Sequence, residues 1–475
     1  MPNVGTCRGG EPQIPLFGGV FMLDITKQLR AFFDSDATLP LAWRKKQLTA
    51  LITMLRNERL AFEEALRLDL GKNAREAWIT EIGIVIHEAK YVRRHLGGWM
   101  RPHGRFTPLI SLPARSAVTP QPRGISLIIS PWNYPVQLTL SPLIASIAAG
   151  NVAIIKPSEF ATETAKLLAQ KLPVYLDPRS IVVVEGGAEV TQQLLREPID
   201  FVFFTGSTAT ARHIAKTAAE FLTPCVLELG GKSPTVIFDV QNIGTVADRI
   251  TFAKFTNAGQ TCVAPDYVLI AGDLLAPFCD ALKASIARQF PASSSLARII
   301  NRHHFDRLSS LLGHGETCII GGGMSPDDLR IEPTVVTLTD PGHPLMQSEI
   351  FGPILPILTL NTNDPKREAR EIIKNHPTPL ACYVFCDQRR DARWLHDHIL
   401  SGNFVHNDAL MHVSNLVIPF GGVGMSGQGA SHGYAGFQTF SHLKGSMWNT
   451  NRFDLPLRYP PYTNKLFRLI EWLLD

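Results

Sequence analysis

A lone cysteine, Cys262, stands in the run Asn257-Ala258-Gly259-Gln260-Thr261-Cys262-Val263-Ala264-Pro265-Asp266, among small and polar residues with no helical period around it. A thiol that merely fills a core usually has bulky apolar neighbours at strand or helix spacing. Here Gly259, Gln260 and Thr261 precede it, a composition that lets the backbone approach a ligand closely. A reactive cysteine works as a thiolate nucleophile. The segment by itself leaves a structural thiol and a reactive one both open. Other polar residues gather at the ends of apolar runs: Ser130-Pro131-Trp132-Asn133-Tyr134-Pro135, Lys156-Pro157-Ser158-Glu159, Thr205-Gly206-Ser207-Thr208 and Glu228-Leu229-Gly230-Gly231-Lys232.

Those apolar runs set the frame. From 39 to 96 the pattern is helical, with Trp43, Leu48, Leu51, Ile52 and Leu55 at three- and four-residue steps and a second run over 62–70. Helices this amphipathic need a surface, so they are expected to pack on the sheet that follows. Pro102, Pro108 and Pro113 then break the period and predict an extended arm over 101–117, a candidate for contact with another subunit. From Gly124 onward, short apolar strands at 125–129, 152–155, 181–184, 201–204 and 226–229 alternate with helical stretches. Continuous apolar strands separated by helices predict a parallel sheet covered on both faces, with ligands bound at the carboxyl ends of the strands. No GxGxxG fingerprint and no phosphate loop ending in Gly-Lys-Ser/Thr is present, so architecture alone points to a nucleotide. The Pro419-Phe420-Gly421-Gly422-Val423-Gly424 turn reads better as a crossing of backbones than as a phosphate cradle, because no lysine follows.

A chain of 475 residues implies two or more domains, and 45% hydrophobic with 19% charged residues describes an ordinary globular protein. The net charge of +4 is dispersed, which argues against nucleic acid as a partner. Seven cysteines without CxxC pairs suggest neither a disulfide framework nor a metal site, and a reducing cytoplasm fits best. No stretch of about 18 apolar residues exists to span a bilayer. Residues 1–20 read as a loose leader without signal-peptide organisation.

Taken in order, Pro131-Trp132-Asn133-Tyr134-Pro135, Lys156-Pro157-Ser158-Glu159, Phe204-Thr205-Gly206-Ser207, Glu228-Leu229-Gly230-Gly231-Lys232-Ser233-Pro234, Gly259-Gln260-Thr261-Cys262 and Glu349-Ile350-Phe351-Gly352-Pro353 resemble the aldehyde dehydrogenase superfamily from about residue 25 to the end. The form Cys262-Val263-Ala264-Pro265-Asp266-Tyr267, the 419–424 turn and Arg458-Tyr459-Pro460-Pro461-Tyr462 look most like its class 3 branch, which contains fatty and aromatic aldehyde dehydrogenases. The resemblance implies an α/β fold with a Rossmann-like cofactor domain (21–100 and 118–227). A catalytic α/β domain (228–420), a small β oligomerisation arm (101–117 with about 440–456) and a tail helix (457–475) would complete it. It also implies a homodimer.

By the same resemblance Cys262 would add to the aldehyde carbonyl, and the Asn133 side chain with the Cys262 backbone N–H would hold the oxyanion. Hydride transfer would leave a thioester, and Glu228 would activate water to hydrolyse it. Alone, Asn133 could be a turn residue and Glu228 a solvated strand end. Lys156 and Glu159 would meet the adenosine ribose, Ser207 the pyrophosphate and Glu349 the nicotinamide ribose with Phe351 beside it. Trp132, Gly206 and Leu229 complete the expected cofactor set. A carboxylate at Glu159 would repel a 2′-phosphate, so NAD is favoured, with NADP also accepted in this branch. Ala211 departs from the family's second glycine and is expected to crowd the cofactor's helix. Two alternatives stay open: a coenzyme A-acylating relative, against which Glu228 argues, and a non-catalytic binding protein on the same fold. Hydrophobic medium- or long-chain aliphatic or aromatic aldehydes are the expected substrates. The apolar tail could cover the substrate tunnel or merely pack on the surface.

Overall fold

A computed structural model describes residues 19–292, 296–360 and 363–452, and beyond them 454, 459–461, 463, 464, 467, 468, 471 and 472. The expected leader and tail helix fall largely outside these residues.

Strands Ile125–Ile129 and Val152–Lys156 are buried at every position, as a sheet covered on both faces requires. They lie in a six-stranded sheet whose order is Gly427–Gln428, Cys225–Leu229, Phe201–Gly206, Ile125–Ile129, Val152–Lys156 and Ile181–Val183. All pairings are parallel except that of Gly427–Gln428 with Cys225–Leu229. The register sets Ile129 beside Lys156 and Phe204, and Thr205 beside Glu228, so the polar strand ends line one edge. Side chains alternate between two apolar layers. Ile128, Ile155, Phe203 and Val226 face Leu48, Leu51, Val85 and Leu96 of the N-terminal helices, while Leu127, Ile154, Val202 and Leu227 face the other layer.

A second sheet of seven strands runs Thr317–Ile320, Thr334–Leu338, Ile354–Leu360, Tyr267–Ala271, Pro234–Ile237, Ala381–Phe385 and Asn403–His406. It is parallel except at Thr317–Ile320, and it too separates two apolar layers. The arm is a three-stranded antiparallel sheet of His103–Arg105, Arg115–Pro122 and Ser441–Trp448. Its middle strand runs on to Pro122, five residues past the boundary expected at 117, because pairing with Ser441–Trp448 continues through Pro122. Among the described residues no helix is long and apolar enough to cross a membrane.

Candidate active site

The helix Ile243–Phe255 is followed, after Thr256, by three successive residues at positive φ, Asn257 (56°), Ala258 (52°) and Gly259 (71°). A β-carbon on Gly259 would run into the carbonyl of Gly352, so this turn and the 349–353 turn touch backbone to backbone. The strained path is held by side chains. Gln260 Nε2 donates to the carbonyls of Asn257 and Arg298 at 3.0 Å each, and its Oε1 accepts from Ile300 N–H at 3.1 Å. The Asn257 N–H donates to Glu76 Oε1 at 2.7 Å, and Thr261 Oγ1 meets the Tyr134 hydroxyl at 2.6 Å. Cys262 is thereby presented at the end of a fixed turn.

The 131–135 turn is tied to the same frame. Asn133 Nδ2 donates to the Gln260 carbonyl at 3.0 Å, leaving its second N–H free of that bond. The Asn133 carbonyl accepts from Asn257 Nδ2 at 2.8 Å and from Lys72 Nζ at 3.0 Å. Lys72 is fully buried and pairs with Glu81 at 2.6 Å, while Glu81 Oε2 accepts the N–H groups of Val136 and Gln137 that begin the next helix. The 349–353 turn is anchored by Lys232. Its Nζ donates to Asp266 Oδ2 and the Leu345 carbonyl at 2.6 Å and to the Ser348 carbonyl at 3.1 Å, and Asp266 Oδ1 takes the Ile350 N–H at 2.9 Å.

Two cavities meet between these turns. A cleft of ≈ 940 Å³ is lined by every residue marked in the sequence: Trp132, Asn133, Lys156, Glu159, Gly206, Ser207, Glu228, Leu229, Cys262, Glu349 and Phe351. A second, largely apolar cavity is bounded by Ile84, Leu138, Pro142, Phe252, Leu410 and Phe420. Leu138, Thr205, Glu228, Leu229 and Cys262 line both, so they form the junction. Within the cleft Lys156 Nζ reaches Glu159 Oε2 at 2.9 Å, Ser207 caps the helix Thr208–Glu220, and the Trp132 ring lies edge-on to Phe351 at 5.5 Å. Ala211 does not crowd the cleft. It is buried in the core layer beneath its helix and is not among the cleft-lining residues, although Ile214, one turn on, is.

Burial dominates the electrostatics. It pushes the Glu228 carboxyl up to about 8, against a hydrogen bond donated by Ser431. Glu349 is also pushed up to about 8, by burial and then by the neighbouring Asp266 charge, while the Gly231 N–H pulls the other way. The Cys262 thiol rises to about 12 through burial and then the Glu349 and Glu228 charges, so it is neutral at pH 7 in the free site. Glu228 Oε2 and Glu349 Oε1 are buried without a hydrogen-bond partner among the described residues. An uncompensated buried oxygen in a cleft fits a ligand bearing hydroxyl donors, as a ribose does.

Several lining residues were not singled out from the sequence. The His304 ring lies tilted against Trp132 at 5.2 Å, Arg307 sits beside Glu349, and Ser431 and His432 bound the apolar cavity. His304 and Arg307 share the helix Arg302–Ser309, and Ser431 and His432 are neighbours on one loop, with no motif of their own. The 419–427 turn was the signal for the last two, since Phe420 pairs with Ser431 across a β-bridge.

The aldehyde dehydrogenase family model matches residues 24–445. The chain is 41% identical to 4,4′-diaponeurosporen-aldehyde dehydrogenase of Staphylococcus aureus, covering 93% of this chain and 96% of that one. It is 41% identical to aldehyde dehydrogenase family 3 member B1 of Rattus norvegicus over 94% and 96% of the two chains. A substrate-bound structure of Staphylococcus aureus AldH superposes with a TM-score of 0.91 at 39% identity, covering 95% of this chain and 99% of that one. This chain belongs to the aldehyde dehydrogenase family, in which it is similar to the family 3 members, and it is an aldehyde-oxidising enzyme.

Proposed function

We infer that the enzyme oxidises hydrophobic aldehydes to carboxylic acids by covalent catalysis at Cys262, with NAD as the favoured hydride acceptor. The observation that carries this reading is the junction itself, where one thiol and one carboxyl face both a polar cleft and an apolar cavity. The aldehyde chain would occupy the apolar cavity. The Staphylococcus relative is named for 4,4′-diaponeurosporen-aldehyde.

In the first step Cys262 Sγ bonds to the carbonyl carbon. Burial holds the thiol neutral, so its proton leaves to water in the cleft as attack occurs. The free N–H of Asn133 and the Cys262 N–H are the donors for the developing oxyanion. A nicotinamide dinucleotide would be held by Lys156, Glu159, Ser207, Glu349 and Phe351, and it supplies the hydride acceptor that converts the thiohemiacetal to a thioester. Glu228 then takes a proton from the water that attacks the acyl carbon, the C–S bond breaks, and the thiol is restored as acid leaves. Glu159, which already neutralises Lys156, disfavours a 2′-phosphate, so NADP would bind more weakly.

Exposed Leu443, Met447 and Trp448 on the arm sheet support pairing of two copies into a homodimer. The test of the whole reading is NADH and NADPH production with an aldehyde panel, with and without coenzyme A, in wild type and Cys262→Ala. Turnover that needs Cys262 and not coenzyme A is expected. Turnover that appears with coenzyme A alone would move the chain to the acylating class.

A further inference from the structure

We propose that Ser431 is a positioning residue for Glu228, a hydroxyl that selects the charged form of the base and fixes which carboxylate oxygen meets water. It rests on the reading of Glu228 as the hydrolytic base. Ser431 Oγ lies 3.1 Å from Glu228 Oε1 and 3.3 Å from the Phe420 carbonyl. Its backbone cannot drift, because Ser431 and Phe420 exchange N–H···O bonds of 2.6 and 3.2 Å across the bridge between them. On the other side, Glu228 is locked by its own strand, paired with Gly427 and with Thr205. Two rigid backbones therefore set the serine–carboxylate distance.

A hydroxyl has one proton and here two acceptors. A carboxylate is much the stronger acceptor, so with Glu228 ionised the proton points to Oε1. When Glu228 is protonated that preference lapses and the hydroxyl can turn to the Phe420 carbonyl at no loss of a bond. The serine thus stabilises the ionised state selectively. It is the one hydrogen-bond donor to Glu228 among the described residues, and it leaves Oε2, buried at the junction, to accept the proton of the attacking water. In that step the water oxygen bonds to the acyl carbon, its proton passes to Oε2, and the C–S electron pair leaves with sulfur. The titratable groups around Glu228 are Cys262 across the junction, Glu349 on the cleft side, His432 beside Ser431, and Glu88 farther along the apolar cavity. Burial holds His432 down to about 4, so it stays neutral where Glu228 titrates.

The experiment is the pH dependence of acyl-enzyme hydrolysis, followed in single turnover after Cys262 is acylated by aldehyde and NAD. It is run on wild type, Ser431→Ala and Ser431→Thr, with thermal melting as the check on folding. Loss of a hydrogen bond to a charged group should move the acid limb of the alanine variant up by about one pH unit. Hydrolysis below the limb then slows about tenfold, with the acylation burst and the alkaline plateau retained, and threonine returns the limb toward the wild-type position. An alanine profile that superimposes on wild type, or a loss equal at every pH, overturns the proposal while leaving Glu228 as base. A wild type with no Cys262-dependent burst overturns both.

Discussion

At the scale of single residues, the proposed mechanism gives acylation and hydrolysis to different groups, and kinetics can separate them. Glu228→Gln keeps the volume and the Ser431 contact but cannot take a proton. The expected result is a stoichiometric burst of NADH followed by turnover slowed about 10²- to 10⁴-fold, the usual worth of a positioned base. Stopped-flow absorbance of NADH measures both phases, and a variant that loses the burst as well would make Glu228 essential to acylation. In wild type the working form of Glu228 is ionised, and its carboxyl is raised to about 8. Steady-state turnover limited by hydrolysis should therefore climb with pH through that value. An amide without such a group has no limb there.

At the scale of elements, catalysis depends on turns whose shape is set by buried polar anchors. Lys232 is the anchor of the 349–353 turn through Asp266 and the carbonyls of Leu345 and Ser348. Lys232→Met leaves the Asp266 carboxylate buried without its partner, a change that costs about 3–5 kcal/mol in comparable pairs. Because the loosened turn carries Glu349 and Phe351 into the cleft, KM for NAD should rise more than KM for aldehyde. Urea unfolding and the split between the two KM values check this. Lys232→Met with Asp266→Asn should regain much of the stability, since no lone charge remains. The strands feeding these turns were legible in sequence as continuous apolar runs, and the motifs at their ends marked the residues that line the cleft. The two-residue strand Gly427–Gln428 was not legible, since so short a segment has no period and joins the sheet from some 200 residues away. Ala211 is buried with Ile214 and Ala218 at helical spacing, so burial rather than a cofactor contact accounts for its side chain.

At the scale of the whole molecule, the active site is a cluster of buried ionisable groups, and the fold bears the cost of ionising them. Nothing in the sequence reveals this, because the carboxyls Glu88, Glu228 and Glu349 come from segments more than 100 residues apart and their burial exists only in the folded chain. The sign of the effect follows from proton binding. Glu228 and Glu349 have carboxyls raised from 4.5 to about 8, and Glu88 from 4.5 to about 7. Between those limits the folded state holds more protons than the unfolded state, so stability is full below the unfolded value and falls as pH rises toward 8. The buried histidines 412 and 432, lowered from 6.5 to about 4, act in the opposite sense, but their contribution is nearly complete by pH 7. Lys254, buried without a hydrogen-bond partner among the described residues and lowered to about 8, opposes the carboxyls only above that pH. Between pH 6.5 and 8 the carboxyls therefore dominate, at roughly 1–2 kcal/mol each for Glu228 and Glu349. The ligand-free enzyme should be measurably less stable to urea at pH 8 than at pH 6.5. Glu349→Gln should remove about half of that difference, because an amide has no proton to lose, whereas a mutation of the exposed Glu64 should leave the slope intact. A slope unchanged in Glu349→Gln would mean that the carboxyl is ionised and solvated in the free enzyme, and that the cleft admits water as far as the nucleophile.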